Sequence, residues 1–159
     1  GMLISRNKEV MAAAQKCATI RLSAPTFEQW GLVAFMRDPE HRAIMARMIE
    51  EYRVRRDIFC EELRRIPGIT LRKPEGAFYV MFGLPVQDSE DFIRWMLTEY
   101  PGKETVMFAP GAGFYATPGK GHDEVRGAYV LNVEDLRRAC AVLADGLALY
   151  TAALARPRR

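Results

Sequence analysis

The sequence predicts an α/β fold of the two-layer α+β type, a small mixed sheet covered by helices and led in by a long N-terminal linking helix. Three observations predict it. Apolar residues recur every three, four or seven positions between residues 45 and 66, a helical period, and beyond residue 68 the period shortens to that of strands. Short β-type runs follow at 69–72, 77–83, 105–109 and 125–131, with amphipathic stretches among and after them. The order helix, strand, strand, helix, strand, strand, helix lets helices lie over one face of a sheet.

Two short helical stretches, 7–18 and 26–36, come first, set off by Ala24-Pro25-Thr26 and Arg37-Asp38-Pro39. Asp38 followed by Pro39 and Glu40 is a helix start. The aspartate accepts a free backbone N–H, and proline in the first turn removes no donor the helix needs. Met45, Met48, Tyr52, Phe59, Leu63 and Ile66 then form one stripe, expected to be buried, on a helix that stops at Pro67-Gly68. Arg47, Glu50, Arg53 and Arg64 on its other side read as a solvated face. Asp88, with Asp91 three residues on, starts a helix presenting Phe92, Ile93, Met96, Leu97 and Tyr100 before Pro101-Gly102 stops it. The last helix starts at Asn132 and places Leu136, Cys140, Leu143, Leu147, Tyr150 and Leu154 along one side. Residues 77–82 and 125–131 are apolar almost throughout, so both faces of those strands are expected to be covered.

With 159 residues, 49% hydrophobic and 27% charged, the chain has the composition of one folded domain, or of a small domain with part of a neighbour. No apolar run approaches the roughly 18 residues that span a bilayer, and the signal-peptide pattern is missing. The expected location is the cytoplasm, without a membrane partner. Cys17, Cys60 and Cys140 are odd in number and far apart, which points to free thiols. The net charge of +3 comes from 23 basic and 20 acidic residues, partly from Arg156, Arg158 and Arg159. Acidic residues are mixed among the basic ones, which argues against a nucleic-acid partner. His41 and His122 are not spaced as a metal pair, Ser5, Ser23 and Ser89 lie outside any GxSxG, and Gly111-Ala112-Gly113 lacks the lysine and hydroxyl of a phosphate loop. No metal ligand and no catalytic residue emerge.

Three segments do carry chemistry. Pro74-Glu75-Gly76-Ala77-Phe78-Tyr79 enters a strand, residues 106–114 read VMFAPGAGF, and Arg126 stands mid-strand in EVRGAYVLNVEDLRRA, just ahead of an acidic helix start. An arginine within an apolar strand is costly to bury without an anion. Its planar guanidinium grips a carboxylate through two parallel hydrogen bonds and fixes its orientation. An internal ion pair with Glu124 or Glu134 is the alternative.

In this order and at these separations the segments resemble the C-terminal signature of class I/II, aspartate aminotransferase-like (fold type I) pyridoxal-phosphate-dependent aminotransferases. LISRNKEVMAAA, RLSAPT and the tryptophan-containing helix after them are similar to the stretch that follows the family's cofactor lysine. The resemblance implies that residues 1–37 are the tail of a large cofactor domain and 38–159 the C-terminal small domain. It implies amino-group transfer between an amino acid and a 2-oxo acid in a homo-oligomer, with Arg126 holding the substrate carboxylate. Gly76 would let backbone approach the substrate, and Phe78 would wall the pocket, unless it packs in the core. Pro110, Gly111 and Phe114 would shape the turn beneath. Arg21 lies near where some members bring in an arginine from the partner subunit, although its offset from Pro25 departs from the pattern.

Pyridoxal phosphate in the parent family needs a Schiff-base lysine, an aspartate at the pyridine nitrogen and phosphate-binding groups. The resemblance places all of these ahead of residue 1. Lys8 does not substitute, because Glu9-Val10-Met11 opens a helix where the family has a phosphate-binding segment. Gly1 before Met2 reads as an expression remnant. The expectation is a truncated chain that binds no pyridoxal phosphate covalently and is inactive alone. A stand-alone carboxylate-binding or interaction module derived from an aminotransferase is the alternative.

Overall fold

The computed structural model describes residues 2–20 and 23–155; Arg21 and the arginine-rich tail lie outside them. The chain divides into two compact units, Gly1–Ala46 and Arg47–Arg159.

The first unit holds α1 (Lys8–Ile20) and α2 (Thr26–Arg37). Asn7 starts α1, its Oδ1 accepting the N–H of Glu9 at 2.9 Å and of Val10 at 3.2 Å. Neither helix buries a residue. The long helix α3 (His41–Arg65) begins three residues after the expected start. Asp38 makes a turn ahead of it: its Oδ1 accepts the Glu40 N–H at 2.7 Å and its carbonyl accepts the His41 N–H at 3.1 Å.

The apolar stripe of α3 is buried only toward its C-terminal end. Phe59, Cys60, Leu63 and Ile66 are in the core, whereas Met45 is 38% and Met48 43% exposed. Periodicity marks the face able to be buried, and burial itself needs a partner surface, which the described residues supply only for the later turns.

The second unit continues with β1 (Thr70–Leu71), β2 (Tyr79–Gly83), α4 (Ser89–Thr98), β3 (Ala109–Pro110), β4 (Glu124–Ala128) and α5 (Val133–Leu154). The sheet order is β1-β2-β4-β3 and every pairing is antiparallel, so the expected mixed sheet is an antiparallel one. The strands are shorter than their apolar runs. Residues 105–108 stay out of the ladder: the Thr105 hydroxyl donates to the Met96 carbonyl at 2.8 Å and Phe108 turns into the core. Both helix starts read from the sequence are present. The Asp88 carboxylate accepts the N–H groups of Glu90 and Asp91, and Asn132 Oδ1 accepts that of Asp135 at 2.9 Å.

Side chains alternate across the sheet. Val80, Phe82, Val125 and Gly127 face the core shared with α3, α4 and α5, and Tyr79, Met81, Arg126 and Ala128 face the other way, at most half-buried. The expectation that both faces are covered therefore holds, among the described residues, for one face only. Phe59, Leu63, Phe92, Met96, Leu136 and Leu143 fill that core, each contributing about 1.5–3 kcal/mol of burial. Gly127 fits beneath Phe59 and Phe82, whose rings leave 3.1 Å for any added Cβ. Cys60 and Cys140 are buried free thiols and Cys17 an exposed one; burial pushes Cys140 up to about 12.

Candidate functional site

Arg126 sits at the middle of β4, opposite Met81 of β2 and Ala109 of β3. Its side chain rises from the open face. The guanidinium carbon lies 4.3 Å from the centre of the Tyr79 ring and 4.4 Å from that of Phe114, well inside cation–π range. The alternative, an ion pair with Glu124 or Glu134, is not present among the described residues. The Glu124 carboxylate accepts the Tyr115 hydroxyl instead, which raises that phenol above its ordinary pKa, and the ion pairs of Glu134's helix run between Arg138 and Asp135 or Glu104 and between Arg137 and Glu62. Arg126 is half-buried, and no described side-chain nitrogen is both fully buried and without a partner, so its guanidinium nitrogens keep some contact with solvent.

Pro110 and Gly111 set the far side of this arrangement. Pro110 ends β3 on the edge of the sheet, where its missing N–H is harmless. Gly111 donates to the Glu124 carbonyl at 2.7 Å, and a Cβ there would lie 2.7 Å from that oxygen and 2.8 Å from the Gly121 carbonyl. Backbone atoms cannot step aside, so the close approach requires glycine. A 3₁₀ turn, Ala112–Phe114, follows and carries the Phe114 ring to Arg126.

Gly76 and Phe78 belong to a neighbouring group. They border a cavity of about 530 Å³, lined also by Met48, Tyr52, Arg56 and Tyr129, and a Cβ on Gly76 would project into open space. Phe78, 39% exposed, stacks on Tyr52 at 6.0 Å and tilts against Tyr79 at 4.5 Å. Tyr79 thus touches both groups. Between Gly76 and Phe78 the backbone is strained: Ala77 has φ +56°, a left-handed conformation that costs a non-glycine residue about 1–2 kcal/mol. Tyr129, 1% exposed, holds it there. Its hydroxyl donates to the Ala77 carbonyl at 2.9 Å and its N–H to the Phe78 carbonyl at 3.0 Å, while Arg56 donates to the Pro74 carbonyl at 3.3 Å. Burial keeps the Tyr129 hydroxyl above its ordinary pKa, so it remains a donor.

Sequence reasoning missed Tyr129, Tyr52 and Arg56. The available signal was chemical: a tyrosine within an apolar strand run needs an acceptor for its hydroxyl. Arg21 lies outside the described residues.

The guanidinium of Arg126 carries in-plane donors of the kind a carboxylate accepts. Lys73, which borders a shallow depression with Tyr79, has its Nζ 2.7 Å from Asp57 Oδ1. Hydrogen bonds from Arg56 and then Lys73 hold the Asp57 carboxyl down at about 2. The described residues contain no cluster of metal-ligating side chains, and no helix long and apolar enough to cross a membrane.

What the geometry defines is an α/β domain that turns one guanidinium, flanked by aromatic rings, toward solvent from the open face of a small sheet. The family model described as aminotransferase class I and II matches residues 1–143. An aspartate aminotransferase of Musicola paradisiaca (strain Ech703) is 32% identical over 133 residues, covering 80% of this chain and 30% of that protein. An aspartate/prephenate aminotransferase of Thermus thermophilus is 33% identical over 135 residues, 83% of this chain and 32% of that one. Among solved structures, an aromatic aminotransferase from Pyrococcus horikoshii matches with a TM-score of 0.68 at 27% identity, over 86% of this chain and 35% of its own. An α-aminoadipate aminotransferase, also from Thermus thermophilus and complexed with N-(5'-phosphopyridoxyl)-L-leucine, shares the fold with a TM-score of 0.71 at 23% identity, over 94% and 38%. The chain belongs to the class I and II aminotransferases, and its fold is that of their fold type I members. It spans about a third of the length of the curated relatives it matches.

Proposed function

We propose that this chain is the small-domain part of an enzyme that transfers an amino group between an amino acid and a 2-oxo acid, and that Arg126 grips the substrate α-carboxylate. The observation that carries the reading is the guanidinium itself, mid-strand, on an open face, with Glu124 engaged elsewhere. Bound pyridoxal phosphate supplies the bond-breaking chemistry in such enzymes. Arg126 contributes orientation. Two in-plane hydrogen bonds to a carboxylate fix the substrate and with it the direction of its Cα bonds. Phe78 and Gly76 border the space beside it, and Pro110, Gly111 and Phe114 set the height of the turn below. Residues 1–37 belong to the cofactor-domain tail and 38–159 to the small domain, and the parent enzyme is a cytoplasmic homo-oligomer. Aspartate, named for several relatives, is the first amino acid to try.

Calorimetric titration of the 159-residue chain with aspartate and with 2-oxoglutarate tests this. Millimolar binding is expected, weakened at least about tenfold in Arg126→Ala, roughly the 1.5–3 kcal/mol of a charged hydrogen bond. Equal affinity in Arg126→Ala overturns it. The chain alone is expected to show no transaminase activity and, after pyridoxal phosphate and borohydride, no reduced adduct on Lys8.

A further inference from the structure

Tyr79 and Phe114 are aromatic side chains that the core does not use. They are 37% and 49% exposed, and neither belongs to the buried cluster. Both rings lie against the guanidinium of Arg126, Tyr79 also against Phe78, and they reach it from different sides of β4, Tyr79 from β2 and Phe114 from the turn after β3. Tyr79 shares the outer face with Arg126, two residue pairs along the ladder, since Met81 pairs with Arg126 and Tyr79 with Ala128. Phe114 arrives only because Gly111 permits the close approach to residues 121 and 124.

We propose that Tyr79 and Phe114 form a two-sided clamp that positions Arg126, covering the π faces of its guanidinium and leaving only its N–H edge for a ligand. This rests on the reading of Arg126 as a carboxylate-binding residue and adds how that residue is prepared. A guanidinium carries its hydrogens in its plane, so in the proposed clamp the two rings, whose centres lie 4.3 and 4.4 Å from its carbon, take the faces and leave the in-plane donors free. An arginine free in solvent loses much of its rotamer freedom when it binds. A clamped one has lost it beforehand, so the ligand meets a preset edge. The edge accepts a planar carboxylate that lies in the same plane, which defines the plane of the substrate's carboxyl group as well as its position. Tyr79 and Phe114 are positioning residues, acting through Arg126.

Two readouts on the full chain test the clamp: rotation of the Arg126 guanidinium, followed by side-chain ¹⁵N NMR, and titration with 2-oxoglutarate. Tyr79→Leu and Phe114→Leu are each expected to speed the rotation and to weaken binding about 2- to 5-fold, and the double variant about 5- to 25-fold, the size of one and two exposed cation–π contacts. Tyr79→Phe keeps the ring and should restore both readouts. Both side chains are half-exposed, so the variants should fold, which the amide NMR spectrum verifies. Wild-type rotation and wild-type affinity in the folded double leucine variant overturn the clamp while leaving the carboxylate role of Arg126 intact. Undiminished binding in Arg126→Ala removes that role, and the rotation rates alone then decide the clamp.

Discussion

Helices α2 and α5 are both rich in apolar residues, and they end in opposite situations. α2 carries Phe27, Trp30, Leu32, Val33 and Met36 and buries none of them; α5 carries Leu136, Cys140, Leu143 and Leu147 and buries all four. Apolar content does not separate them. In α5 the spacing of four and three collects the residues into one stripe that the sheet, α3 and α4 cover. In α2 the apolar positions run around most of the helix, a pattern that calls for cover on several sides, and the described residues leave all but Phe35 exposed. The second unit closes its own core, and the first holds helices whose apolar faces stay open.

The largest expected effect tests that contrast directly. Phe59→Ala, at 1% exposure, should lower unfolding stability by about 3–5 kcal/mol, read as a shift of the denaturant midpoint, while Trp30→Ala should stay within about 0.5 kcal/mol. A comparable loss for Trp30→Ala would break the comparison. Next in size, Gly111→Ala should cost about 1–3 kcal/mol, because the added methyl meets backbone oxygens rather than movable side chains. It should also displace Phe114, seen as altered aromatic NMR shifts around Arg126. Tyr129→Phe should cost about 1 kcal/mol through the lost bond to Ala77, and faster hydrogen exchange should be confined to residues 74–78.

The smallest effect concerns Asp57 on α3. Its carboxyl is lowered from 3.8 to about 2 in the folded chain, by Arg56 and then Lys73, so the unfolded chain takes up the proton first as pH falls. The stabilisation is therefore complete above about pH 4 and is lost as pH drops toward 2. A third of the side chain is exposed and water screens it, so less than about 1 kcal/mol is expected. Asp57→Asn should flatten that part of the stability profile measured between pH 6 and pH 2.

Much of this was legible in the sequence where the cause is local. Asp88 and Asn132 were readable as helix starts because capping joins residues two or three apart, and the stripe of α5 because one helix carries it. Arg126 was readable because a charge within an apolar strand is conspicuous. Long-range causes left no comparable trace. Tyr129 reaches Ala77 across 52 residues. The Tyr79 and Phe114 rings meet at Arg126 only once β2 and β3 have paired on either side of β4. The burial of Met45 and Met48 was over-read for the same reason, since periodicity is a property of the helix and a covering surface is not.

Gly127 and Val125 flank Arg126 and face the core, Gly127 in a space that two phenylalanine rings define. Were β4 to pair one residue out of register, the guanidinium would enter that space and Val125 would face water. Such a chain would lose its core before it could offer a misplaced arginine to a ligand. Folding thus acts as a proofreader of the site: the steric demand on one face of the strand guarantees the side chain displayed on the other.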